Sequence, residues 1–181
     1  MSLPMVKGPR ERRVPEGDDK PRLVCPDCEY VAYENPKIVV GSVVSYGDRL
    51  LLCRRAIEPR RGFWTLPAGY LELHESPDEG ARREAREEAC ARIEIDGLLA
   101  VYSIPRISQV QLIYRARLAD GVFSPGPESL ETRLFTWDEV PWDELAFPSV
   151  RWALHQHHGS LGAPLAQPFG NLESDYLDPV L

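Results

Sequence analysis

Three glutamates, Glu84, Glu87 and Glu88, fall at positions i, i+3 and i+4 of the run GYLELHESPDEGARREAREEACA, from Gly69 to Ala91. On a helix that spacing puts them on one arc of about 100°. Carboxylates crowded this way repel one another, and a divalent cation relieves the repulsion; hard oxygen donors suit Mg2+ or Mn2+. The competing reading is a solvated, salt-bridged face, because Arg82, Arg83, Arg86 and Arg92 are interspersed with the acids.

The local sequence supplies the helix. Ser76 can act as N-cap, Pro77 fits the first turn, where a missing N–H removes nothing, and Asp78 and Glu79 favour the positive end of the helix dipole. Ala81, Ala85 and Ala89 recur every four residues. That stripe of small side chains lets the helix lie close against a sheet, with the acids beside it.

The same run resembles the signature of the Nudix hydrolases: Gly, five residues, Glu, seven residues, Arg-Glu, an aliphatic, any residue, Glu-Glu, any residue, Gly, an aliphatic. Gly69, Glu75, Arg83, Glu84, Ala85, Glu87, Glu88, Cys90 and Ala91 hold those places. Every charged position matches. Cys90 stands where the family has glycine, and Ala85 and Ala91 are small for aliphatic positions, so the departure touches the helix exit rather than the charged set. The resemblance implies that Glu84, Glu87 and Glu88 bind metal, with the carbonyl of Ala68 or Gly69 as a further ligand. It makes Glu75 and Arg83 a structural ion pair between loop and helix. Glu84 counts with the catalytic residues, and a general base is expected on a loop opposite the helix. Glu131 is the first choice there and Glu128 the second, with a plain surface carboxylate the alternative for each.

Beyond the signature, NPKIVVG, LCRRAIEPRRGFWTLPAGYLE and PGPESLETRLFTWDEVPWDELAF resemble a Nudix branch that cleaves the pyrophosphate of ADP-ribose or FAD, giving AMP and a phosphorylated product. Pro105 is consistent with ADP-ribose enzymes. The SQPWPFPxS array of NADH pyrophosphatases is absent, since Ser108-Gln109 continues as Val-Gln-Leu, and NADH is the second choice. Arg54, Arg55, Arg60 and Arg61 are candidates to meet the distal phosphate, and Phe63, Trp64 or Tyr102 to stack on a base; solvated charge and core packing are the competing readings. A binding module without catalysis is the reading from another class. Three mutually repelling acids kept on one face argue against it.

The rest of the chain must position these groups. Its 181 residues with 43% hydrophobic content suffice for one good core with appendages. A net charge of −7 argues against a nucleic-acid or anionic-membrane partner and calls for a local cation wherever an anionic substrate binds. No apolar run reaches the length of a membrane span and the start lacks a signal-peptide core, so a cytoplasmic protein acting on a small nucleotide is expected, as a homodimer. Residues 1–35 read as a flexible arm, with Met1-Ser2-Leu3 an expression leader, ending in a knuckle, Cys25-Pro26-Asp27-Cys28. Several Nudix enzymes resemble this layout, with a small zinc ribbon before the catalytic domain. Here one CxxC supplies half of a four-cysteine zinc site, and Cys53 and Cys90 read as buried small hydrophobes, so Zn2+ is not expected to be held.

Residues 36–160 read as the catalytic domain and 161–181 as a surface tail. KIVVGSVVSY and RLLLCRR read as a strand hairpin, ARIEIDGLLAVYSIP as one strand or two broken near Asp96-Gly97, SQVQLIYRARL as another strand and LFTW as a short one. A helix from about Ser149 to His158 follows, with His155, His157 and His158 at its exposed end. Strands around an internal helix make an α/β layered domain; the resemblance narrows it to the Nudix α/β/α sandwich with a mixed β-sheet.

Overall fold

Backbone pairing, more than apolar content, organises the start of the chain in the computed structural model, which describes residues 8–172. Strands β1 (Glu11–Arg13), β2 (Arg22–Val24) and β3 (Val31–Ala32) form an antiparallel sheet in that order. These strands lie in the segment expected to be a flexible arm and a partial knuckle. Polar strands can satisfy one another's N–H and C=O groups without a large core, and Pro15, Val24 and Cys25 are buried here. The expected leader, Met1-Ser2-Leu3, lies outside the described residues, as do residues 173–181 of the tail.

The chain divides into two units after Pro36. In the second, β4 (Lys37–Tyr46) turns through Gly47, at φ 63°, into β5 (Arg49–Arg55), the expected hairpin. Two short strands follow, β6 (Trp64–Thr65) and β7 (Ala68–Tyr70), then helix α1 (Pro77–Ala89). After it come β8 (Ile93–Ile104), β9 (Gln109–Leu118), β10 (Ser129–Phe135) and helix α2 (Pro148–Gly159). The sheet runs β10-β5-β4-β9-β8, with β6 on β5 and β7 on β4. β4 and β9 are parallel and the remaining pairs antiparallel, so the sheet is mixed. Asp96-Gly97 does not break β8; the register shifts between Ile95 and Gly97, and a bulge absorbs the turn signal.

Alternation along β4 and β5 divides the core. One face packs Val43, Leu50, Leu52 and Tyr102 against Trp152, Ala153 and Leu154 of α2. The other packs Val44, Leu51, Cys53 and Ala116 against Ala85 and Ala89 of α1. The alanine stripe is thus the buried side of α1, and the domain is a three-layer α/β/α sandwich.

Edge strand β8 is covered by the tail. Phe169 exchanges backbone hydrogen bonds with Leu99 and Val101, and the Asn171 amide bonds both the N–H and the C=O of Ser103. Tyr102 Oη and Gln156 Oε1 are 2.5 Å apart, and Gln156 Nε2 donates to the Gly170 carbonyl. Of the three histidines expected at an exposed helix end, His155 and His158 are exposed and stack on Trp142 and Trp137. His157 is not: only 3% exposed, it sits near Arg115, His158 and Asp96. Burial, reinforced by Arg115 and His158 and opposed by Asp96, pushes its pKa down to about 4.

Because the depressed value belongs to the folded state, the unfolded chain takes up this proton first as the pH falls. The stability that neutral His157 contributes is intact above about 6.5 and is lost progressively towards 4. Melting temperatures measured across that window should fall more steeply for the parent than for His157→Gln, a difference on the order of 2–3 kcal/mol at the acid end. Parallel curves would refute it.

Candidate active site

Helix α1 begins as its sequence dictates. Ser76 is the N-cap in an extended conformation, Pro77 opens the first turn, and the Glu79 carboxylate accepts from the Ser76 N–H at 2.8 Å. The loop before the helix is tied to it by Arg83, one-fifth exposed. Its Nε donates to Glu75 Oε2 at 3.0 Å and its Nη2 to Glu75 Oε1 at 2.8 Å. Nη2 also donates to the Tyr70 carbonyl at 2.9 Å, while Nη1 reaches Glu84 at 2.6 Å and Glu87 at 2.8 Å. The Arg83 guanidinium, followed by the Glu72 N–H, holds the Glu75 carboxyl below its ordinary range.

Glu84 and Glu88 are buried although ionisable. Burial raises the pKa of Glu84 against the pull of Arg83, and pushes that of Glu88 up to about 8. The Ala68 N–H donates to Glu88 Oε2 at 3.0 Å and opposes the shift, as does Arg55; Glu84 and Glu128 reinforce it. On the sheet side, Gly69 faces Glu84 directly. A side chain at Gly69 would meet the carboxylate, 2.6 Å from Oε2, and would displace it from this approach. Gly41 serves the same approach one strand away, where a Cβ would strike that of Ala68.

Among the described residues, no three acids, histidines or cysteines are drawn tightly enough to enclose an ion. Arg83 Nη1 occupies both Glu84 and Glu87. The donor chemistry still fits a hard divalent cation: two buried carboxylates with raised pKa values, a third at 59% side-chain exposure, and backbone held against them by a glycine.

The exit from the helix places the other acid. Cys90 takes the left-handed conformation, φ 46° and ψ 28°, and its N–H closes on the Arg86 carbonyl at 3.0 Å. Cysteine therefore adopts the turn for which glycine is suited, with strain instead of a different geometry. It is exposed, contrary to its reading as a buried hydrophobe, whereas Cys53 is buried as expected. The Pro125-Gly126-Pro127 loop then caps the helix, with Ser124 N–H on the Ala89 carbonyl and Gly126 N–H on that of Glu88. A Cβ at Gly126 would collide with the Glu87 carbonyl. The importance of Gly126 was missed in the sequence, although its flanking prolines were a signal of a constrained turn.

Glu128 and Glu131 fall in different settings. Glu128 follows the loop and its charge acts on both Glu84 and Glu88. Glu131 was expected on a loop; it lies in β10 opposite Arg54, its carboxylate 3.8 Å from the guanidinium. The strand starts at Ser129, earlier than the apolar LFTW indicated, because pairing with β5 extends across polar residues.

The remaining candidates separate by exposure. Tyr102 is fully buried with its ring edge on Trp152, and Trp64 is 6% exposed with its edge on Phe135. Both are core residues, unable to stack on a base. Phe63 is half-buried beneath the Arg60 guanidinium. Arg54 donates to the Gly62 carbonyl, Arg55 donates to that of Pro59 and lies over the Phe147 ring, and Arg61 is exposed.

A NUDIX domain family model matches residues 35–154, and a Nudix N-terminal zinc-ribbon model matches residues 7–34. A solved NUDIX hydrolase from Nitrosomonas europaea is 48% identical with a TM-score of 0.82, over 90% of this chain and 91% of that one. A MutT-like protein of Streptomyces ambofaciens is 41% identical over 102 residues, 56% of this chain; the match spans 64% of that relative, just under two thirds of its length. An ADP-ribose pyrophosphatase of Methanocaldococcus jannaschii is 28% identical over 123 residues, 66% of this chain and 72% of that protein.

Two substitutions should move stability in opposite directions. Gly69→Ala drives a methyl group into the Glu84 carboxylate and should destabilise by about 1–3 kcal/mol. Cys90→Gly removes the left-handed strain and should stabilise by about 1 kcal/mol, raising the melting temperature by roughly 2–4 °C. A stabilised Gly69→Ala or a destabilised Cys90→Gly in thermal unfolding would contradict the geometry.

Proposed function

Because the chain belongs to the Nudix family, we propose that it is a metal-dependent pyrophosphohydrolase that cleaves the pyrophosphate of ADP-ribose or FAD, releasing AMP and a phosphorylated product. The observation that carries this reading is the pair of buried acids, Glu84 and Glu88, set against the glycine backbone of β7. A solvated acidic face would leave them in water. The ADP-ribose pyrophosphatase of M. jannaschii supports that substrate class.

On this reading Glu84, Glu87 and Glu88, with the carbonyl of Ala68 or Gly69, would hold Mg2+ or Mn2+. The ion would neutralise the phosphoryl oxygens and acidify the attacking water. The protein's own residues do the rest. Glu128, fastened by the capped loop beside the helix, would receive the proton of that water. Arg83 and Glu75 are positioning residues, which keep the β7 backbone and the helix at one spacing. The basic loop carrying Arg54, Arg55, Arg60 and Arg61 would meet the distal phosphate, with Phe63 the aromatic left available to a base once Trp64 and Tyr102 are in the core. We propose further that the chain works as a homodimer in the cytoplasm.

Purified protein incubated with Mg2+ or Mn2+ and, separately, ADP-ribose, FAD, NADH or a nucleoside triphosphate should release AMP from ADP-ribose or FAD. Glu88→Gln should lower kcat by at least about a hundredfold, the scale of losing one charge-stabilising group. It should unfold no more readily than the parent in metal-free buffer, since it removes an acid whose ionised form is disfavoured by burial. Preferential cleavage of NADH would reassign the substrate. No release from any of the four by folded protein would replace the enzyme with a binding module.

A further inference from the structure

Residues 7–34 match a zinc-ribbon family, yet the residues present do not fit a structural zinc ion. Such an ion takes four nitrogen or sulfur donors in a tetrahedron. Within residues 1–36 the sequence has two, Cys25 and Cys28, and its remaining cysteines and histidines begin at Cys53. Acids do not complete the set among the described residues, where no group of three potential ligands converges. The knuckle is nevertheless formed. The Cys25 N–H donates to the Tyr30 carbonyl at 2.9 Å and the Glu29 N–H to the Cys25 carbonyl at 2.8 Å, with Glu29 left-handed at φ 57°.

A guanidinium stands beside it. The Arg10 N–H pairs with the Val24 carbonyl at 3.1 Å, which brings Arg10 alongside the knuckle. Its two terminal nitrogens fork onto the Asp27 carboxylate, Nη1 to Oδ2 at 2.7 Å and Nη2 to Oδ1 at 3.0 Å, and Nη1 also reaches the Gly8 carbonyl at 3.2 Å. Asp27 lies between the two cysteines in sequence, and its Oδ2 is 3.8 Å from Cys25 Sγ. The β1–β2 connection has a matching device: Arg22 Nε donates to Asp18 at 3.0 Å, while Asp18 accepts from the N–H groups of Asp19 and Lys20.

We infer that this N-terminal unit is a metal-free ribbon, in which the Arg10–Asp27 fork joins the segment leading into β1 to the cysteine knuckle. A metal ion would make that join by binding two knuckles at once. The fork is the geometry in which arginine and a carboxylate pair most specifically, and lysine cannot reproduce it. The ribbon's order is therefore indifferent to chelators and is supported by the Arg10–Asp27 pair.

The test uses the full chain: metal content of the purified protein, with amide exchange of residues 8–36 before and after a chelator. The expected result is no stoichiometric zinc and unchanged protection of the Cys25 and Glu29 amides after chelation and in Cys28→Ser. In Arg10→Gln, and equally in Asp27→Asn, those amides should exchange roughly two- to fivefold faster. Zinc at one per chain, or one per two chains, that is lost together with protection in Cys28→Ser would overturn the inference and make the knuckle half of a metal site. Unchanged exchange in both ion-pair variants would overturn it as well, because the fork would then join nothing.

Discussion

One guanidinium sets the terms for the second unit. Arg83 faces three carboxylates and a backbone carbonyl, and no other described group bonds both the loop before α1 and the acids upon it. The pair with Glu75 is mostly shielded, at 21% and 15% side-chain exposure, and removing Arg83 would strip Glu75, Glu84 and Glu87 of the cation they share. The link to Tyr70 fixes where β7 stops. Since β7 supplies Gly69 and Ala68, the position of the backbone that faces Glu84 and Glu88 follows from where Arg83 is held.

Close approach is the second requirement, and small residues meet it at three levels. Ala81, Ala85 and Ala89 are fully buried and bring the helix down on the sheet. Gly41 and Gly69 bring β7 up to the helix, and Gly126 lets the following loop rest on the helix end. At the three glycines an added methyl group would meet Ala68, the Glu84 carboxylate or the Glu87 carbonyl, so the approach of the elements helps to set where the acids stand.

This division explains what could be read from the sequence. Helix α1, its cap, its buried stripe, the Glu75–Arg83 pair and the β4–β5 hairpin all rest on residues within one run, where period and charge spacing are visible. What could not be read depends on which way a strand faces or what covers it. Tyr102 and Trp64 are aromatic in either environment, and only the sheet register assigns them to the core. His157 shares a polar run with two exposed histidines, yet the helix turns it inward. Glu131 looked like a loop residue because strand β10 begins in polar sequence, and its pairing partner, β5, lies some eighty residues earlier in the chain. At Cys90 the departure from glycine was plain, but whether the turn would change or strain be accepted was a matter of the loop that packs on it.

Charge gives the proposed reaction an order. The chain carries a net charge of −7, and the charge of Glu128 raises the proton affinity of both Glu84 and Glu88, so the acids by themselves oppose a pyrophosphate. The nearby arginines cannot reverse this alone, because Arg54 and Arg55 already donate to loop carbonyls, and Arg54 also faces Glu131. Glu88, whose pKa near 8 keeps it largely protonated at neutral pH, would give up that proton in holding a divalent cation, whose charge would offset the acids towards an anionic substrate. On the proposed reading, the acids that oppose an anionic substrate by themselves would be the ones that favour it together with its ion.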